Sequence, residues 1–188
     1  ETVYPIKGKR TRHYAFYDEL DIKQLSEDRL MEDVFEDALK NGEFQLWYQP
    51  KVDPVTGNIL GAEALIRWKR PDGTMLSPGK FIPLFEKNGN ITTLDEYVFR
   101  TVCAQQQRWL QAGAKLYPIS VNISRVSLYY SNVVDKYREI LNSFRLDPKY
   151  VPLEITESAT IDNSDISMKQ DLLYCWMISE AVILLCLR

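Results

Sequence analysis

The sequence predicts an α/β fold: a partial (β/α)8 barrel of the TIM type, with about the first half written in the chain. Three observations predict it. Short β-rich runs alternate with longer stretches of helical periodicity, the order expected of a mostly parallel sheet wrapped by helices. The runs lie near 45–53, 58–68, 117–124 and 151–157, about half the strands that a closed eight-stranded barrel needs. Three of them carry an oxygen-bearing residue, Glu63, Asn122 or Glu154, on the face opposite most of their aliphatics.

The helices follow in order. From Ser26, Leu30, Val34 and Ala38 recur beside Met31, Phe35 and Leu39, with Ser26 as the cap and Asn41-Gly42 as the stop. A hairpin joins Gln45–Asp53 to the next strand through Pro54-Val55-Thr56-Gly57-Asn58. Pro71-Asp72-Gly73 turns the chain, and Ser77-Pro78 begins a short helix through Phe81, Leu84 and Phe85. A second helix, Thr93 to Gln111, buries Leu94, Val98, Val102 and Trp109 and ends before Gly113. A third spans Val126 to Phe144 with Leu128, Val133, Tyr137, Ile140 and Leu141 inside. Four strands leave a sheet edge and apolar faces uncovered, so low stability or a partner is expected.

Composition narrows the function. The 188 residues, 45% apolar with a net charge of -3, are those of one soluble globular domain. That charge gives no support to a nucleic-acid groove or a basic membrane patch, which need clustered Lys and Arg. Lys7, Lys9, Arg10 and Arg12 read as a solvated loop and His13 as a surface side chain. Cys103, Cys175 and Cys186 are odd in number and lack ligand spacing, which indicates a reducing, cytoplasmic compartment. Residues Glu1 to Tyr17 hold no signal-peptide core.

Gly61-Ala62-Glu63-Ala64-Leu65-Ile66-Arg67-Trp68 sets Glu63, Leu65 and Arg67 on one face and Ala62, Ala64, Ile66 and Trp68 on the other. A buried carboxylate costs several kcal/mol without a partner or a metal, so Glu63 either faces solvent or holds something positive. With Asn122 and Glu154 it offers two carboxylates and an amide oxygen, and no His or Cys is placed to join them. Such a set suits Mg²⁺ or Mn²⁺ and argues against zinc.

Gln49-Pro50-Lys51-Val52, Glu63-Ala64-Leu65-Ile66-Arg67-Trp68, Pro78 with Phe81-Ile82-Pro83, Val121-Asn122-Ile123-Ser124 and Glu154-Ile155-Thr156-Glu157-Ser158 together resemble the EAL domain family, bacterial phosphodiesterases that linearise cyclic di-GMP. The similarity runs from about Ala38 to Ser158. It implies metal-ligand positions at Glu63, Asn122 and Glu154. Gln49, Leu65 and Arg67 match positions that hold the dinucleotide, Arg67 through its planar fork of donors. The activity implied is metal-dependent hydrolysis of cyclic di-GMP to linear pGpG by two cations that activate a bridging water. The family's DDFG aspartates, a later lysine and a later glutamate are absent from this sequence, so loss of activity is expected. The alternative is a non-catalytic module that binds cyclic di-GMP or docks on an intact EAL-domain protein or a second copy.

Gly8 to Asp18 is similar to the end of a GGDEF domain. The expected organisation is therefore 1–25 linker and upstream remnant, 26–160 EAL half and 161–188 atypical tail. Trp176 and Met177 have single codons, and reading from the third base of each, the latter into Ile178, forces two aspartates. Permitted codons through Leu185 can continue that frame as Phe, Gly, Ser or Gly, Gly, Tyr, Ser, Ser, the missing motif. The tail is thus expected to be an out-of-frame reading of the next strand. Leu172 to Leu187 is apolar but holds Ser179 and Glu180 and falls short of the roughly 20 residues of a membrane span. Val182 to Leu187 could instead serve as a substitute buried strand.

Overall fold

In the computed structural model, which describes residues 3–4, 15–16, 19–129, 132–155 and 184–185, the chain begins with a short antiparallel pair, β1 (Val3–Tyr4) and β2 (Ala15–Phe16). Helices α1 (Glu19–Asp33) and α2 (Phe35–Lys40) follow. The first begins ahead of Ser26, which lies inside it rather than capping it. Leu20, Lys23, Gln24 and Leu25 are strong helix formers, so nothing in that stretch stops the helix from extending forward. Leu30, expected in the inner stripe, is 52% exposed, while Met31, Phe35 and Ala38 are buried. Gly42 takes a φ of 69° and ends this unit, Glu1–Gly42, where the sequence places a stop.

The second unit, Glu43–Arg188, is built on β3 (Phe44–Val52) and β4 (Ile59–Lys69), an antiparallel hairpin. Asp53 closes its turn by accepting from the amides of Val55 at 2.8 Å and Thr56 at 3.0 Å, the local acceptor geometry that favours Asp in turns. After Pro71-Asp72-Gly73 a two-residue strand, β5 (Met75–Leu76), folds back on the end of β4. It is too short to carry a periodic signal. Helices α3 (Pro78–Asn88) and α4 (Ile91–Gln111) lead to β6 (Ile119–Ile123). Then come α5 (Arg125–Leu128), α6 (Val133–Phe144), β7 (Leu153–Ile155) and β8 (Leu184–Leu185). The single helix expected over Val126–Phe144 is therefore two. Ser124 caps α5, and Asn132 precedes a fresh start at Val133.

Sheet order is β3-β4-β6-β7-β8, with β4, β6, β7 and β8 mutually parallel. This is the partial barrel sheet that the alternating elements predict. Leu184–Leu185 fall inside the run read as a substitute strand, and pair with Glu154 and Ile155. The rest of the tail, with Cys175, Cys186 and all of the region read as out of frame except Leu184–Leu185, lies outside the described residues, as do His13 and the GGDEF-like segment apart from Ala15–Phe16. Among the described residues no helix is long and apolar enough to cross a membrane.

The register divides the sheet into two faces. One packs Ala64, Ile119, Val121, Ile123 and Leu153 against Val98, Phe99 and Val102 of α4 and Tyr137, Ile140 and Leu141 of α6. Each fully buried side chain of this kind contributes roughly 1.5–3 kcal/mol. At the far end of β4, Trp68 is fully buried with its ring centroid 4.7 Å from that of Phe44 and 5.7 Å from Phe81. Trp109, expected in the core, is 37% exposed at the end of α4 and lies beside Tyr48. Its inner position goes to Gln106, whose amide donates to the carbonyls of Tyr117 (2.7 Å) and Tyr150 (3.0 Å). One buried amide thus ties down the chain entering β6 and β7, just ahead of where both strands begin.

Candidate functional site

The opposite face is where the polar residues gather. Gln49 pairs with Glu63 across β3 and β4, Glu63 with Ser120 across β4 and β6, and Asn122 with Glu154 across β6 and β7. Register partners share a face and residues two apart repeat it. Gln49, Lys51, Glu63, Ser120, Asn122 and Glu154 therefore lie on one side of four adjacent strands, with Leu65 and Arg67 farther along β4.

Glu63 and Asn122 meet directly, the Asn122 amide donating to Glu63 Oε1 at 2.7 Å. Glu154 is 4% exposed, and its Oε1 accepts from Lys51 Nζ. The same ammonium donates to Ser120 Oγ at 2.9 Å, and Ser120 Oγ donates to the carbonyl of Ala62 at 3.3 Å. All three expected metal ligands thus share the face, but direct contact joins only Glu63 and Asn122. Burial of Glu154 is offset by a lysine from three strands away, in keeping with the cost of an unpaired buried charge.

Pairing of β4 with β6 ends at Ala64 and Val121. Beyond it a cavity of about 280 Å³ opens, lined by Leu65, Arg67, Asp95, Asn122 and Ser124 among others. Arg67 donates to the carbonyl of Ile66 at 2.8 Å, and its guanidinium lies 5.9 Å from the Trp47 ring centre. Gln49 is exposed beside the site. Asp95 accepts from the Ser124 amide at 2.9 Å and from Ser127 Oγ at 2.7 Å, so it clamps the turn that follows Asn122. Burial pushes its carboxyl up to about 6, against the lowering effect of those hydrogen bonds. Cys103 sits in the core with its thiol pushed up to about 12 by burial, so it stays protonated and supplies no nucleophile at neutral pH.

Lys51, Ser120 and Asp95 escape the sequence reading. Lys51 is two residues from Gln49, but its meaning depends on a register spanning four strands. Asp95 had a visible signal: it is a carboxylate in the inner stripe of its helix, between Leu94 and Val98.

Hard oxygen donors on one face of adjacent strands fit a divalent cation of the Mg²⁺ or Mn²⁺ type. A positive group already compensates the buried Glu154, which is what a cation there would do. Among the described residues there is no group of three or more His, Cys, Asp or Glu that could hold a metal. The set rests on two carboxylates with an amide between them.

Comparison with known proteins meets this geometry. The family model described as "EAL domain" matches residues 32–173. The chain is 33% identical over 167 residues to the bifunctional diguanylate cyclase/cyclic di-GMP phosphodiesterase MucR of Pseudomonas aeruginosa, covering 88% of this chain and 24% of that protein. It is 34% identical over 127 residues to PdeB, a probable cyclic di-GMP phosphodiesterase of Escherichia coli, covering 68% of this chain and 24% of PdeB. In structure it is similar to the PaMucR phosphodiesterase in complex with c-di-GMP, with a TM-score of 0.74 and 32% identity over 82% of this chain and 62% of that one. The chain spans about a quarter of the length of these curated relatives.

Proposed function

The chain belongs to the EAL domain family, and from that membership we propose that it is a cyclic di-GMP signalling protein whose own residues bind the dinucleotide and a divalent cation without completing hydrolysis. The observation that carries this reading is the shared face of Glu63, Asn122 and Glu154 on three adjacent parallel strands, with Arg67 on the adjoining cavity. Asn122 and Glu154 stand next to the carboxyl ends of their strands, where barrel enzymes place their chemistry.

In this reading Glu63, Asn122 and Glu154 hold Mg²⁺ or Mn²⁺. When bound, the cation neutralises phosphate charge and lowers the pKa of a coordinated water. Arg67 grips a phosphate through two parallel donors, which its fork can offer and a lysine cannot. Gln49 supplies an amide to the same ligand from the exposed side, and Leu65 gives an apolar wall. Asn122 orients the Glu63 carboxylate, and Asp95 holds the backbone just beyond Asn122. Two carboxylates are too few for a pair of cations, so these residues by themselves are expected to bind without turnover.

A docking role, on an intact EAL-domain protein or a second copy, is favoured by one feature. Among the described residues β3 is an edge strand, and Trp47 and Val52 on it are 55% and 52% exposed. The cysteine usage and charge also fit a cytoplasmic protein.

Calorimetric titration with cyclic di-GMP, with and without MnCl₂, tests the main reading when paired with chromatography for pGpG. Saturable binding without linear product is expected, weakened by about tenfold or more in Arg67→Ala, since a charge-assisted hydrogen bond contributes about 1.5–3 kcal/mol. Absence of binding, or hydrolysis by this chain alone, would overturn it.

A further inference from the structure

Lys51 lies on β3 opposite Gly61, and Glu154 lies on β7, with β4 and β6 between them. The lysine stem reaches across this span because the position facing it is a glycine, and because the next side chain on its path, Ser120, offers a hydroxyl instead of a bulky group. Its ammonium ends on Ser120 Oγ and Glu154 Oε1. Ser120 links the pair to the backbone: it accepts from Lys51 and donates to the Ala62 carbonyl. Lysine here is 35% exposed along its side chain and the carboxylate 5%. The wetter end of the pair is therefore the cation.

We propose that Lys51 is the resident counter-ion of Glu154, and that a divalent cation gains this carboxylate only by displacing the Lys51 ammonium. The inference rests on the metal reading of Glu63, Asn122 and Glu154 and goes beyond it, because it assigns the control of cation affinity to a residue outside the ligand set. A buried carboxylate needs one positive partner and is ill served by two, since like charges on one acid repel. An ammonium on a flexible four-carbon stem can leave for solvent, which a planar, fork-bound guanidinium does less readily. Lys51 thereby holds the Glu154 carboxylate in place in the cation-free protein, and sets the cost of loading it.

The test uses the full chain, MnCl₂ alone as probe, and two readouts: thermal melting and Mn²⁺ affinity by electron paramagnetic resonance. Lys51→Met is expected to melt lower than the natural protein without Mn²⁺, to gain more melting temperature from Mn²⁺, and to bind it about tenfold or more tightly. Lys51→Arg, which keeps a charge that releases less easily, is expected to bind Mn²⁺ no better than the natural chain. Should Lys51→Met fail to fold, the double variant Lys51→Met/Glu154→Gln removes the stranded charge and is expected to fold. Failure of both to fold would overturn the counter-ion assignment. Equal Mn²⁺ affinity in Lys51→Met and the natural chain would overturn the proposal and leave the metal reading standing. Binding of Mn²⁺ by neither would overturn the metal reading and this proposal with it.

Discussion

Asp95 shows how one side chain serves the site at a cost to the fold. Burial displaces its carboxyl from 3.8 to about 6, so the folded state prefers the protonated form. Stability from that form is complete below about 3.8 and is lost as pH rises through about 6. At neutral pH the displacement corresponds to about 3 kcal/mol. Both of its hydrogen bonds end on one oxygen, which the amide oxygen of Asn can replace. Asp95→Asn is therefore expected to be more stable than the natural protein at pH 7.5 by about 2–3 kcal/mol, and nearly equal to it at pH 4. Urea unfolding at the two pH values checks this, and a difference that does not change with pH would contradict it. Residues of this scale were unequally legible. Glu63 and Glu154 announce themselves as acids within apolar strands, whereas Lys51 and Ser120 acquire meaning only when β3, β4, β6 and β7 are in register.

At the scale of elements, the strands and the two longest helices of the second unit were readable because period and length agree. Short or locally governed elements were not: β5 has two residues, and the break between α5 and α6 follows from the Ser124 cap and a restart at Val133. Ser26 was misread because a good capping residue is also tolerated inside a helix whose neighbours are strong formers. The β4–β6 junction depends on Gly61. A Cβ there would stand 2.5 Å from the Pro118 carbonyl oxygen, a backbone atom that also accepts from the Ala62 amide at 2.9 Å. Gly61→Ala is expected to cost about 1–3 kcal/mol by forcing the strands apart. Urea unfolding measures it, and a change within about 0.5 kcal/mol, the usual surface effect, would contradict the close approach.

For the whole molecule, the sheet does two jobs with its two faces. One face packs Val121, Ile123 and Leu153 against α4 and α6 and holds the strand ends still. The other carries the acids, the amide and the lysine, and the alternation of side chains alone separates them. This division was legible in the sequence along β4, and its continuation through β6 and β7 follows from parallel pairing. The central claim is that Glu63, Asn122 and Glu154 act as one cation site. The most direct measurement is Mn²⁺ binding by electron paramagnetic resonance for the natural chain and for Glu63→Gln, Asn122→Ala and Glu154→Gln, each first shown to be folded by circular dichroism. Joint ligation predicts that each substitution weakens Mn²⁺ binding by about tenfold or more, the order found for groups that serve a metal. Unchanged affinity in any one of the three would contradict it.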